Sequence, residues 1–248
     1  MDNKENKQEI IDNFLKYNKI RVSGGKITDY KQLAFYLNKL AKNEINKGRF
    51  EKALYFAQKS SEFDKENYDS LFLNGLALRF LGKIEEAIEI FKEHYTICND
   101  RESMFNVGLC YMQANENEKA IDYFNRGLED IDNEEYEKNK ELICLVYECM
   151  GNIYLSREDI LEFDSTDKLK MNYKLALKYY KKSLSINKLN ATLLNRLAAC
   201  YYHFDDIGKA LYCYELASKV APEDKRYIEA VDELKNSGVV SEEIDFDK

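Results

Sequence analysis

Apolar residues recur along this chain in paired bursts at helical spacing. Residues 104–124 show the pattern most plainly: Met104, Val107, Gly108 and Tyr111 mark one helical face, and Ala120 and Phe124 mark a second. The polar stretch Asn115-Glu116-Asn117 separates them. The scheme returns at a spacing of about 34 residues. It appears as Leu37, Leu40, Ala41 and Ile45 followed by Ala53, Leu54 and Ala57, and as Leu71, Gly75 and Leu78 followed by Ile84, Ala87 and Phe91. It closes as Leu194, Leu197, Ala198 and Tyr201 followed by Ala210, Tyr214 and Ala217. Such regularity predicts an all-α chain of stacked helix pairs, in which each pair buries its apolar face against the next.

One copy is stretched. Tyr147, Met150, Gly151 and Tyr154 fit a first helix, but Ala176 arrives about 13 residues late for the period. The apolar rhythm runs on through Ile160 and Leu161 and resumes at Leu169, Tyr173, Leu177 and Tyr180, with Asp164-Ser165-Thr166-Asp167 as turn and N-cap. The pattern predicts about two extra turns on each helix, a hairpin projecting roughly 10 Å at about 1.5 Å per residue.

The ends read differently. In residues 7–22, Ile10, Ile11, Phe14 and Leu15 form a stripe that Ser23-Gly24-Gly25 breaks, and this short helix is placed to cover the first copy. Thr28 then caps the next helix. Pro222 opens a last helix, with Glu223 and Asp224 at its N-terminus and Tyr227, Ile228, Val231 and Leu234 turned to the array, before Gly238 ends it. The acidic SEEIDFDK is expected to be mobile. The organisation is therefore an N-terminal segment at 1–27, a solenoid at 28–238 and an acidic flexible tail at 239–248. Repeats fall near 34–67, 68–100, 101–133, 134–190 and 191–222, with a capping helix at 222–237.

The repeated small residues carry a resemblance. Ala41, Gly75, Gly108, Gly151 and Ala198 in the first helices, and Ala53, Ala87, Ala120, Ala176 and Ala210 in the second, follow the scheme of the tetratricopeptide repeat. The chain resembles that family over residues 34–222. Departures include Asn74 for the usual Leu, Glu44 for the usual Tyr, and Asn115 and Asp205 at turn positions usually held by Gly. The resemblance implies a right-handed α-solenoid of about five helix-turn-helix repeats with terminal capping helices.

Composition narrows the chemistry. A formal net charge of −8 disfavours sequence-independent nucleic-acid binding. The polar opening MDNKENKQEI and the absence of any run of about 18 apolar residues point to a soluble, cytoplasmic protein without membrane insertion. Cys98, Cys110, Cys144, Cys149, Cys200 and Cys213 sit within helical patterns and read as reduced thiols. With only two histidines, His94 and His203, and no phosphate-loop, zincin or nucleophile-elbow motif, no catalytic residue and no cofactor is predicted. Cys200, His203 and Cys213 lack a fourth ligand and a zinc spacing, so no metal site is predicted either.

Binding remains. In the tetratricopeptide family the first helices line a concave groove that selects a protein or peptide partner. Transferred repeat by repeat, the inward positions are Asn38 and Lys42; Phe72, Leu76 and Phe80; Phe105, Leu109 and Met112; Glu148 and Asn152; Asn195, Tyr202 and His203. The groove would be apolar in the middle and polar at its ends, with a scaffold or adaptor function centred on Phe72, Phe105 and Leu109. Three alternatives stay open: a receptor for a short signalling peptide, contact through the 157–170 hairpin, and a structural assembly subunit whose apolar face is buried between copies. The oligomeric state is not set by the sequence. The family's chaperone-tail clamp needs basic and amide side chains where this chain has Leu73 and Glu102, so that activity is not expected.

Overall fold

The computed structural model describes residues 2–22, 26–156 and 166–246. Among these residues there are thirteen helices, falling into two compact units, Met1–Gly127 and Leu128–Lys248.

The first unit contains α1 (Asp2–Tyr17), α2 (Tyr30–Asn46), α3 (Phe50–Phe63), α4 (Tyr68–Phe80), α5 (Ile84–Cys98), α6 (Arg101–Gln113) and most of α7 (Asn117–Leu128). Consecutive helices from α2 to α6 pack on one another, and α2 also meets α4 as α4 meets α6, so the first helices of the three repeats lie side by side. Small residues set the closeness of the pairs. A Cβ on Gly75 would fall 2.8 Å from the Phe91 ring, and one on Gly108 would fall 2.5 Å from that of Phe124.

In four of the repeats the internal turn is made by a left-handed residue. Gly48 and Gly82 supply it at φ +68° and +76°, and Asn115 and Asp205 supply it at +60° each. Asn and Asp tolerate this region better than other L-residues. The amide one residue later then bonds back into the first helix: Arg49 to Glu44 O at 2.9 Å, Lys83 to Leu78 O at 3.0 Å, Glu116 to Tyr111 O at 2.9 Å and Asp206 to Tyr201 O at 3.0 Å. One cap geometry thus serves four repeats.

α1 covers the first repeat, with Ile11 fully buried beside Leu33 and Leu37, and Phe14 edge-on to Phe63 at 5.1 Å. It lies further toward the N-terminus than the sequence pattern predicts, starting at Asp2. It ends at Tyr17, Lys19 turns left-handed at φ +52°, and Ile20 and Val22 continue into the same core outside any helix. The expected break at Ser23-Gly24-Gly25 lies outside the described residues. Asp29, not Thr28, caps α2: its carboxylate accepts the Gln32 amide at 2.8 Å while the Gln32 side chain accepts from Thr28 N at 3.0 Å.

The second unit holds α8 (Asn133–Lys138), α9 (Lys140–Ser156), α10 (Thr166–Ile186), α11 (Ala191–His203), α12 (Ile207–Val220) and α13 (Lys225–Asn236). Ala176 is the eleventh residue of α10, whereas Ala53, Ala87, Ala120 and Ala210 are each the fourth of their helices. The seven added residues make about two turns, as the sequence pattern predicts for this helix. The matching extension of α9, and most of the projecting hairpin, fall at 157–165, outside the described residues. The last helix begins later than expected, at Lys225, because Asp224 caps it by accepting the Arg226 amide.

Residues 239–246 depart from the expected mobile tail. They lie along α12, with Glu242 N donating to Gly208 O at 3.0 Å and Ile244 and Phe246 buried in the unit's core. Two apolar residues spaced by two fall on one side of an extended segment, so both can be buried together.

Candidate functional site

The side-by-side first helices of the N-terminal unit place α2, α4 and α6 in register, which brings equivalent repeat positions together. Phe72, Leu76 and Phe80 lie at i, i+4 and i+8 on α4 and share one stripe. Phe80 is 43% exposed, stacked on Phe50 with ring centroids 4.9 Å apart, and the Arg79 guanidinium lies 4.6 Å from its centroid. Phe72 and Leu76 are half-buried; the Phe72 ring meets Phe91 at 5.6 Å and His94 at 5.3 Å. Met112 is half-buried on α6.

Phe105 and Leu109 do not line a surface. Phe105 is fully buried and Leu109 is 3% exposed. The reason is Gly127 on α7: a Cβ there would lie 2.5 Å from Phe105 Cε1, so the missing side chain is the space the ring occupies. The first repeat has Ser60 at the matching second-helix position and the second has His94, which the Phe72 ring meets instead of passing inward.

At the α2 end, Asn38 is 7% exposed and donates through Nδ2 to Asn67 Oδ1 at 2.9 Å, while its own Oδ1 has no protein donor. Lys42 is exposed. Two aromatic side chains of this surface escaped the sequence reading. Phe35, 57% exposed with Lys39 Nζ 4.4 Å from its centroid, precedes Asn38 by three and Lys42 by seven, so the helical stripe already contained it. Phe50 opens a second helix, and only its stacking on Phe80 gives it a surface role.

In the C-terminal unit the polar positions are engaged with one another. Arg196 Nη1 on α11 lies 2.9 Å from Glu148 Oε1 and 2.9 Å from Asn152 Oδ1 on α9, and Tyr180 Oη donates to the same Asn152 oxygen at 2.8 Å. Asn190 adds a donor to Glu148 Oε2 at 3.3 Å. Asn152 therefore belongs to a connected network joining α9, α10 and α11. Asn195 is half-buried; Tyr202 is 41% exposed beside Tyr214, and His203 is stacked on Tyr173 at 3.8 Å.

One cluster has the residue types of a hydrolase. His94 Nδ1 and Ser103 Oγ are 2.8 Å apart, and the Ser103 hydroxyl donates to Asp100 Oδ2 at 3.0 Å. Its order is wrong for catalysis, because the carboxylate bonds the serine and not the far ring nitrogen of the histidine. Ser103 is fully buried and Asp100 is the N-cap of α6, so the cluster ties the end of α5 to the start of α6. Burial holds His94 below the usual imidazole range, against an opposing pull from Asp100. Among the cysteines, burial pushes the Cys110 and Cys200 thiols up to about 12, which leaves them un-ionised small apolar groups. Among the described residues, no three His, Cys, Asp or Glu side chains are grouped to hold a metal, and no helix is long and apolar enough to cross a membrane.

The repeated cap, the small-on-aromatic contacts and the in-register first helices agree with the comparisons. A stretch of 53 residues is 45% identical to a TPR repeat-containing protein of Methanocaldococcus jannaschii. It covers 21% of this chain and spans 16% of that protein's length. The helix pairs have the tetratricopeptide-repeat fold. Residues 46–127 also match the family model described as anaphase-promoting complex, cyclosome, subunit 3, which takes in the second and third repeats. Three solved structures share the tetratricopeptide fold. Pseudomonas aeruginosa pilF is 15% identical with a TM-score of 0.66, covering 84% of this chain and 87% of its own. A MamA protein is 18% identical with a TM-score of 0.54, covering 79% and 96%. YrrB, described as a TPR protein with an unusual peptide-binding site, is 16% identical with a TM-score of 0.53, covering 90% and 98%.

Proposed function

We propose that this tetratricopeptide-repeat chain is a non-enzymatic protein-interaction scaffold. Its N-terminal unit holds a helix or extended peptide of another protein against α2, α4 and α6. The observation that carries this reading is the exposed aromatic surface of Phe35 and the Phe50–Phe80 stack, with Lys39 over the Phe35 ring and Arg79 over that of Phe80. Rings held this way lose little conformational freedom when a partner covers them, which favours binding. Phe72, Leu76 and Met112 extend the apolar surface. The YrrB neighbour supports the peptide-binding part of the reading.

The test is photocrosslinking in the source cells from an unnatural residue at Met112, with identification of the adduct by mass spectrometry. Phe35→Glu/Phe80→Glu, two exposed positions, should abolish the adduct while leaving the circular-dichroism melt unchanged. An undiminished adduct in that variant would remove this face from the function.

A further inference from the structure

The segment 239–246 suggests a second interaction surface, on α12 and separate from the first-helix face. We infer that the side of α12 bearing Gly208, Tyr212, Glu215 and Leu216 is a docking surface for an extended acidic peptide with apolar residues two apart. The segment 239–246 is its resident in cis. Each requirement can be read from how the segment is held. Its backbone is tied to the first turn of α12, Glu242 N donating to Gly208 O at 3.0 Å. Gly208 permits that approach, because a Cβ there would stand 2.9 Å from Val240 O.

Charge and shape give the rest. Lys209 pairs with Glu242 at 3.4 Å, and Ser241 Oγ donates to Glu215 Oε2 at 2.7 Å. Glu215 itself is neutralised by Lys235 at 2.7 Å, so a carboxylate on this face does not repel an acidic ligand. Ile244 and Phe246 are 7% and 8% exposed and join the core that Tyr212, Leu216 and Val220 edge. The resident leaves space unfilled. A cavity of about 740 Å³ remains beside residues 243–246, with Leu189, Leu216 and Val220 on its apolar wall and Lys188 and Lys219 also lining it. A partner peptide with the same acidic and apolar alternation, plus one more bulky apolar side chain, would fill what the resident does not. The segment departs from the fold at Gly238, whose φ of +84° makes the turn, so it can leave without unwinding α13.

The experiment keeps the full chain. Ile244→Glu/Phe246→Glu releases the resident, and a fluorescein-labelled peptide of residues 239–246 is titrated in and followed by anisotropy. The released variant should bind the peptide saturably. The wild-type chain should bind about tenfold more weakly or less, since a short tether presents the resident at an effective concentration on the order of millimolar. A peptide with Ser in place of both apolar residues should not bind. Adding Gly208→Ala should abolish binding without loss of helicity, because Ala is the better helix former. A second readout needs no variant: in the wild-type chain the Glu242 amide should exchange hydrogen at least about tenfold faster than the Leu216 amide within α12. Absence of saturable binding to the released variant, or a Glu242 amide as protected as that of Leu216, overturns the inference. A wild-type dimer dispersed by the peptide would assign the face to a second copy and overturn the assignment to a separate partner.

Discussion

Replacing Gly127 by Ala pits two effects of opposite sign against each other. Helix propensity alone predicts a gain of about 1 kcal/mol, since Gly is the poorer helix former. The structure predicts a loss. The new methyl would stand 2.5 Å from Phe105 Cε1 and 2.8 Å from Cδ1, and Phe105 is fully buried with nowhere to retreat. Carbon atoms prefer about 3.5–4.0 Å, so ring or helix must move by close to an ångström. Overpacking of this kind costs about 1–3 kcal/mol, which leaves a net destabilisation of about 1 kcal/mol. Urea unfolding followed by circular dichroism measures it as a lowered midpoint at unchanged slope. Phe105→Leu should relieve the clash, so the double variant should lose less than the sum of the singles, with a coupling of about 1 kcal/mol. A Gly127→Ala variant more stable than wild type would refute the account of why Phe105 is in the core.

Further predictions concern the turns, the buried histidine and the polar network. Gly82→Ala should cost about 1–2 kcal/mol from backbone strain alone, because a Cβ there meets nothing within 4 Å, whereas Asn115→Gly should change the melting temperature little. His94 is harder to protonate in the folded chain than in the unfolded one, so its contribution is fully present above about pH 6.5 and declines as pH falls towards its lowered folded value. His94→Gln should therefore flatten the dependence of the urea midpoint on pH between about 7 and 5. Arg196→Ala removes the donor shared by Glu148 and Asn152; because the site is partly exposed, water replaces some of the loss and the cost should be about 1 kcal/mol by thermal melt.

Much of the fold was legible because the repeat writes the same physical demand several times. Five small residues recur opposite aromatic or apolar partners, and Asn115 and Asp205 stand where the turn needs a positive φ. Those requirements are local, met by residues within one helix pair, so periodicity exposes them. The candidate surface was less legible. Phe72, Phe105 and Leu109 look alike along a helix, yet Phe105 turns inward because a glycine 22 residues later leaves room, while Phe72 meets His94 in the equivalent place. The composition of SEEIDFDK suggested a mobile acidic tail, but burial of Ile244 and Phe246 against α12 outweighs the solvation of its carboxylates.

The sequence by itself determined the main helices, their pairing and the turns within repeats, because spacing, small residues and turn chemistry act over a few residues. The tertiary structure alone decided which apolar side chains remain available to a partner and which segment lies on α12. Those outcomes depend on the volume left at a contact by a residue from another helix, and no single helix carries that information.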